Sequence, residues 1–242
     1  MNVLLDPPQA LAARGPSRHR RTCFPYSVPS PPKVGDLPAL RLEQEPAEAL
    51  ARLLGLLVCG EEAATIAFDG LAHAHTGDPA AAAALHRIAD EERVHEGLLN
   101  ALADRLPPVR DEAGRLSAAR RFHVHLGHGD QAAHLARIAA LDSAVCTLLA
   151  RLLRPASPLA GDPVIGAVLR HIGRDEAHHV RISRALASAR RDARALRATA
   201  VPVREALVGL LALAADDFET LECDPERLFR DLARLPHGLF GL

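Results

Sequence analysis

The chain has 242 residues, with 29 basic against 30 acidic side chains, a formal net charge of −1 and a pI near 6.9, so no polyelectrolyte partner is implied. Hydrophobic residues make up 48 %, enough for one domain with a substantial core. The basic residues, all Arg apart from Lys33, are scattered among acids as on solvated helix faces, not gathered into a nucleic-acid surface. Four widely separated cysteines, Cys23, Cys59, Cys146 and Cys223, form no Cys-x-x-Cys pair; they are poor material for a disulfide framework or a zinc ribbon and suit a reducing cytosol.

Nine of the 18 prolines fall in the first 46 residues, in stretches such as Pro7-Pro8 and Pro29-Ser30-Pro31-Pro32. Proline at that density forbids helix and removes backbone donors. Residues 1–45 therefore read as an irregular arm, disordered or laid as a strap over a domain spanning 46–242. The arm holds no apolar leader-like run beyond Val3-Leu4-Leu5. From Pro46, a favourable first-turn residue, a helix runs to about Ala74 and ends at His75-Thr76-Gly77-Asp78-Pro79. A second helix, about 79–105, closes at Pro107-Pro108, and a shorter one near 111–126 ends at Gly127-His128-Gly129. The next, about 130–153, stops before Pro155; Gly161-Asp162-Pro163, with Asp162 as N-cap, opens another that runs to about 190. An apolar helix at about 202–221 and a short helix near 225–234 complete the chain. The longest apolar run, Ala206 to Ala215, is too short to cross a bilayer, so this helix should pack on the domain or on a twin subunit in a homodimer. A soluble, cytoplasmic protein with no membrane and no nucleic-acid partner is expected.

Short turns join the first two long helices and the last two, so each pair should form an antiparallel hairpin. The stretch 106–129 between them can travel the length of a bundle. The expected class is all-α: a four-helix bundle of two antiparallel hairpins with a long crossover, plus extra C-terminal helices.

Heptad seams in all four long helices are broken near the middle by an ionisable group. The first runs Leu50, Leu54, Leu57, Glu61, Ala64, Phe68, Leu71, and the second Leu85, Ile88, Glu92, His95, Leu99, Leu102. The third runs Leu135, Ile138, Asp142, Val145, Leu149, Leu152, and the fourth Ile165, Leu169, Ile172, Glu176, His179, Ser183, Leu186. A charge placed in a core costs several kcal/mol unless compensated. Four carboxylates together would repel and be driven to protonate. Two divalent cations would neutralise them, and carboxylate plus imidazole ligation without thiolate suits iron or manganese. The candidate metal ligands are Glu61, Glu92, His95, Asp142, Glu176 and His179. Glu62 competes with Glu61, but its seam through Gly55, Thr65 and Asp69 makes a poorer core. Cys146, one turn after Asp142, could border the cavity. The group His123, His125 and His128 reads as an exposed helix end and loop, with an adventitious metal site as the alternative.

One Glu from each of two helices and a Glu-x-x-His from each of the others resembles the ferritin-like superfamily of dinuclear carboxylate proteins over about 46–190. Glu61 followed by Ala64 and Phe68 is similar to the first helix of ferritins and rubrerythrins. Asp175-Glu176-Ala177-His178-His179 looks like the Asp-Glu-x-Arg-His element of bacterial di-iron monooxygenases and ribonucleotide reductase small subunits, with His178 in place of Arg. The resemblance implies that Asp175 orients His95 and that Glu91 orients His179. Two departures stand out: the third helix offers Asp142 where relatives use Glu, and Tyr26 is the only tyrosine, which argues against a tyrosyl radical.

The resemblance further implies two iron ions, or Mn/Fe or two Mn, with O2 as co-substrate. The activity expected from it is an oxidase or oxygenase acting on a small organic molecule, served by an electron-donor protein. Ferroxidase or peroxide-consuming chemistry is the alternative, and a metal-free helical interaction protein is the non-enzymatic one.

Overall fold

The structure is a computed structural model and describes residues 23–24, 37–75, 77–110 and 112–241. Among these the regular elements are all helical and no strand occurs, so the protein is all-α. The helices are α1 (Gln44–Ala74), α2 (Pro79–Ala103), α3 (Ala113–Leu126), α4 (Gln131–Leu152), α5 (Pro158–Gly161), α6 (Pro163–Ser188), α7 (Ala193–Leu211), α8 (Ala215–Thr220) and α9 (Pro225–Ala233), with a 3-10 turn at Ala212–Ala214. Most of the arm expected at 1–45 lies outside the described residues; its described parts, 23–24 and 37–43, are non-helical.

Helix starts follow local chemistry. Asp78, Asp130, Asp162, Asp192 and Asp224 each accept a backbone N–H from the first turn that follows, satisfying a donor with no intrahelical partner. Asp162 also accepts the Arg41 N–H, so the cap of α6 tethers the segment that leads into α1. One boundary was misjudged. Pro202 reads as a helix start, yet it lies inside α7, which begins nine residues earlier behind the Asp192 cap. The proline is exposed, so the carbonyl left without a donor can turn to water. The short α5, capped by Ser157, was not foreseen.

α1 and α2 pack along their length as one hairpin, α4 and α6 as the other, and α2 meets α6 between them. Two apolar clusters fill the ends of this arrangement. One joins the start of α1, the end of α2, the end of α4 and the start of α6 through Leu50, Leu54, Leu102, Leu152 and Leu169. The other joins the opposite ends through Phe68, Leu85, Ile88, Leu135 and Ile138. Chain directions follow: α1 runs parallel to α6 and antiparallel to α2 and α4. α3 bridges from α1 to α7. α4 carries fully buried Ala136, Ala139, Ala140 and Ala144, and such small side chains allow close approach of the helices packed on it, α6 and α7.

Cys23 and Cys59 form a disulfide, which corrects the expectation of unpaired cysteines; Cys146 and Cys223 are free. Sequence spacing missed the pair because its members lie on different segments, 36 residues apart. The cysteine pattern therefore no longer argues for a reducing compartment.

Candidate metal centre

The layer between the two apolar clusters is polar. Glu61, Glu92, His95, Asp142, Glu176 and His179 all face it, none more than 7 % exposed. In both Glu-x-x-His elements the three-residue step turns the two side chains about 60° apart around the helix, so both can serve one centre.

Glu92 lies between the two imidazoles. Its Oε2 is 3.2 Å from His95 Nδ1 and its Oε1 is 3.1 Å from His179 Nδ1. Glu176 Oε1 is 3.8 Å from the first of these nitrogens and 4.0 Å from the second. Glu61 Oε2 stands 3.5 Å from His95 Nδ1. One ligand atom from each of Glu61, Glu92, His95 and Glu176 falls within 4.8 Å of the others, a spacing that fits a shared ion. Asp142 lines the same cavity, but neither it nor His179 is part of that tight foursome.

Both imidazoles turn their outer nitrogen to a carboxylate of the opposite hairpin. His95 Nε2–H donates to Asp175 Oδ2 at 3.1 Å, and His179 Nε2–H donates to Glu91 Oε2 at 2.9 Å. A proton fixed on Nε2 leaves the Nδ1 lone pair directed inward, as a metal-binding imidazole requires. Asp175 also lies 3.6 Å from His171 Nε2 at the surface. Glu62, the rival to Glu61, points elsewhere: its Oε2 accepts the backbone N–H groups of Cys23 and Phe24.

Among the described residues none of the four inner carboxylates pairs with an arginine, and protons take over that role. Burial, reinforced by the neighbouring Glu92 charge, pushes the Glu61 carboxyl up to about 8 and holds Asp142 and Glu176 well above the usual carboxylate range. Burial acts the same way on Glu92, but its contacts with His179 and His95 outweigh it and keep this carboxyl well below normal. Burial disfavours both imidazolium forms. The Glu61 and Glu92 carboxyls reverse that for His95, raising it to about 11, and Glu92 does so for His179, raising it to about 9. Burial, with the Asp142 charge, lifts the Cys146 thiol to about 11, so it stays protonated.

Of the seven buried side-chain atoms without a hydrogen-bond partner among the described residues, two belong to candidate ligands, Asp142 Oδ2 and His179 Nδ1; the latter is close to Glu92 but not aligned as a hydrogen bond. Once their protons leave, carboxylate oxygen and imidazole nitrogen of this kind are donors that a divalent cation takes. The residues present therefore fit a divalent cation. Neither a protein-family model nor a curated protein matches this chain, so the fit rests on these residues alone.

Sequence reasoning missed three features around the centre. His123, expected in an exposed loop, is half-buried in α3 and lines the cavity with Glu61, Glu92, Asp142 and Glu176; burial pulls its imidazole down to about 4. Its signal was present, since Leu116, Ala119, His123 and Leu126 keep the three-and-four step of a buried seam. Leu207, Leu210 and Leu211 of α7 close the same cavity. Arg204, fully buried behind α4, donates to the carbonyls of Ala140, Leu232 and Arg234 and to Ser143 Oγ, with no carboxylate partner among the described residues. Length and composition alone would let Ala193–Thr220 cross a membrane, at mean hydropathy 1.5; its buried side lies against the other helices, with Arg204 among the buried residues.

Proposed function

We propose that the chain is a dinuclear-metal protein of ferritin-like architecture, binding two iron ions and using O2 to oxidise a small organic molecule. The observation that carries this reading is the arrangement about Glu92: a buried carboxylate between two inward Nδ1 atoms, each imidazole held from behind by an acid of the opposite hairpin. Glu61 and His95 would hold one ion, Asp142 and His179 the other, with Glu92 and Glu176 shared. Manganese at one or both positions meets the same donor set. When bound, the ions supply the redox chemistry and Lewis acidity that side chains lack.

The chain's own residues do the rest. Glu91 and Asp175 fix the imidazoles, so little reorganisation is needed on loading. Leu56, Leu57, Leu141, Val145, Leu148 and the α7 leucines keep water away from the carboxylates. An electron-donor protein is the partner an oxygenase of this kind implies.

The cavity measures about 70 Å³, room for O2, peroxide or a few waters. That size favours ferroxidase or peroxide-consuming chemistry as the second reading, because a larger organic substrate would need the leucines of α7 to move. A metal-free interaction protein would leave the orphaned Asp142 and His179 atoms unexplained.

The first test is metal identity and stoichiometry after iron-supplemented expression. Two ions per chain are expected; trace metal together with no uptake by the apo protein overturns the proposal. Anaerobic reduction followed by O2 then separates the readings. Consumption coupled to an added reductant and organic substrate marks an oxygenase, whereas uncoupled oxidation of many irons per chain marks a ferroxidase.

A further inference from the structure

Among the described residues, His123 is the only polar side chain besides the four carboxyl groups in a cavity otherwise lined by aliphatic groups and Gly60. It enters from α3, outside the two hairpins that carry the candidate ligands. Gly60 of α1 faces it: a methyl group at that position would sit 3.8 Å from the His123 ring, an ordinary packing distance. The helix bearing it is pinned to α1 from the far side. Cys23, cross-linked to Cys59, directs its Sγ toward the Leu116 carbonyl, and Arg120 lies over the Phe24 ring. Glu62, adjacent to Glu61, accepts both N–H groups of that 23–24 pair. An imidazole is thus held at a set position beside a cluster of oxygen atoms, in surroundings where a hydrogen bond faces little competition from water.

We propose that His123 is a positioning residue: it hydrogen-bonds a small anionic or oxygen-bearing ligand that enters the cavity beside the ion pair. The aliphatic walls offer such a ligand no polar contact, and the carboxylates, which accept but do not donate when ionised, repel an anion. The imidazole can do either, according to which nitrogen holds its proton. The ligand class is therefore small, compact and able to accept or donate one hydrogen bond, such as O2-derived species, azide or a short carboxylate. This inference rests on the dinuclear reading above and assigns a role to a residue outside its ligand set.

Azide binding to the iron(III)-loaded full chain tests it, followed optically, with iron stoichiometry and helix content measured on every variant. His123→Phe keeps the ring volume and removes both nitrogens. It should weaken azide about tenfold, the scale of one well-placed hydrogen bond, with iron unchanged. His123→Gln, which keeps a donor and an acceptor, should recover most of the loss. Equal azide affinity in wild type and His123→Phe overturns the proposal. Loss of iron from His123→Phe also overturns it, because the imidazole would then be a ligand. If the phenylalanine form misfolds, His123→Leu is read by the same criteria. A wild-type protein that holds iron but binds no azide rejects this inference alone, whereas one that takes up no iron rejects the dinuclear reading itself.

Discussion

Glu92 differs from the other buried acids in that two imidazoles keep it ionised while Glu61, Asp142 and Glu176 are pushed toward the neutral form. Because both of its oxygens face a different Nδ1, Glu92→Gln should lose both ions together, not one, with helix content retained; metal analysis checks this. In the metal-free site burial and neighbouring charges raise Glu61, Asp142 and Glu176, and the carboxylates raise His95 and His179, so protons are favoured on all of these groups. Loading metal at pH 7 should therefore release protons, measurable by calorimetry in buffers of different ionisation heat. The same shifts set the stability of the metal-free protein. Glu61 is raised from 4.5 to about 8 and His95 from 6.5 to about 11, so over those windows the folded state binds more protons than the unfolded chain. Their stabilisation is complete below the unfolded values and is lost as pH rises through the folded ones. The apo melting temperature should fall from pH 5 to pH 9, while metal affinity climbs. At this scale the six candidate ligands were legible because each interrupts an apolar seam. The Asp175 and Glu91 contacts were legible only through resemblance. His123 escaped because its seam belongs to a short helix in the crossover, where a histidine among other histidines resembles a polar turn.

At the scale of elements, α3 and α7 were the least legible from the chain. Their amphipathic faces were visible, but what they cover depends on contacts between segments far apart in sequence. The Cys23–Cys59 bridge is one such contact, tying Cys23 to the middle of α1. A cross-link across 36 residues removes entropy from the unfolded chain, so reduction, or Cys23→Ser with Cys59→Ser, should cost about 3–4 kcal/mol in denaturant titration. Arg204 is a second contact of this kind, joining α7 to α4 and to the segment after α9. Arg204→Leu would take a donor from the buried Leu232 carbonyl and from those of Arg234 and Ala140, the last keeping Ser143 Oγ, and should cost about 1–3 kcal/mol, read from the shift in urea midpoint. Pro202 misled for a related reason: a helix tolerates proline where the freed carbonyl reaches water, and only burial reveals which side that is.

For the whole molecule, the hairpin pairing followed from two short turns and one long crossover, which leave few alternatives for four long amphipathic rods. The seams also told where the charged layer would fall along the rods, since every interruption comes near mid-helix. What pattern could not supply was the way the auxiliary helices roof that layer. The fully buried residues form two distinct apolar clusters with the acids and imidazoles between them, while half-buried Phe122 and Leu141 pack against both. On the proposed reading, protons would hold the waist of the molecule between two well-packed ends when cations are absent, and loading would replace them with coordinate bonds joining the four rods at one level. Backbone amides in the turns around Glu61, Glu92, Asp142 and Glu176 should accordingly exchange deuterium faster in the apo protein than those near Leu50 or Leu85, and slow most upon loading. The centre would in that way be a mechanical keystone as well as a reactive one, its loss softening the middle of the rods while both tips stay firm.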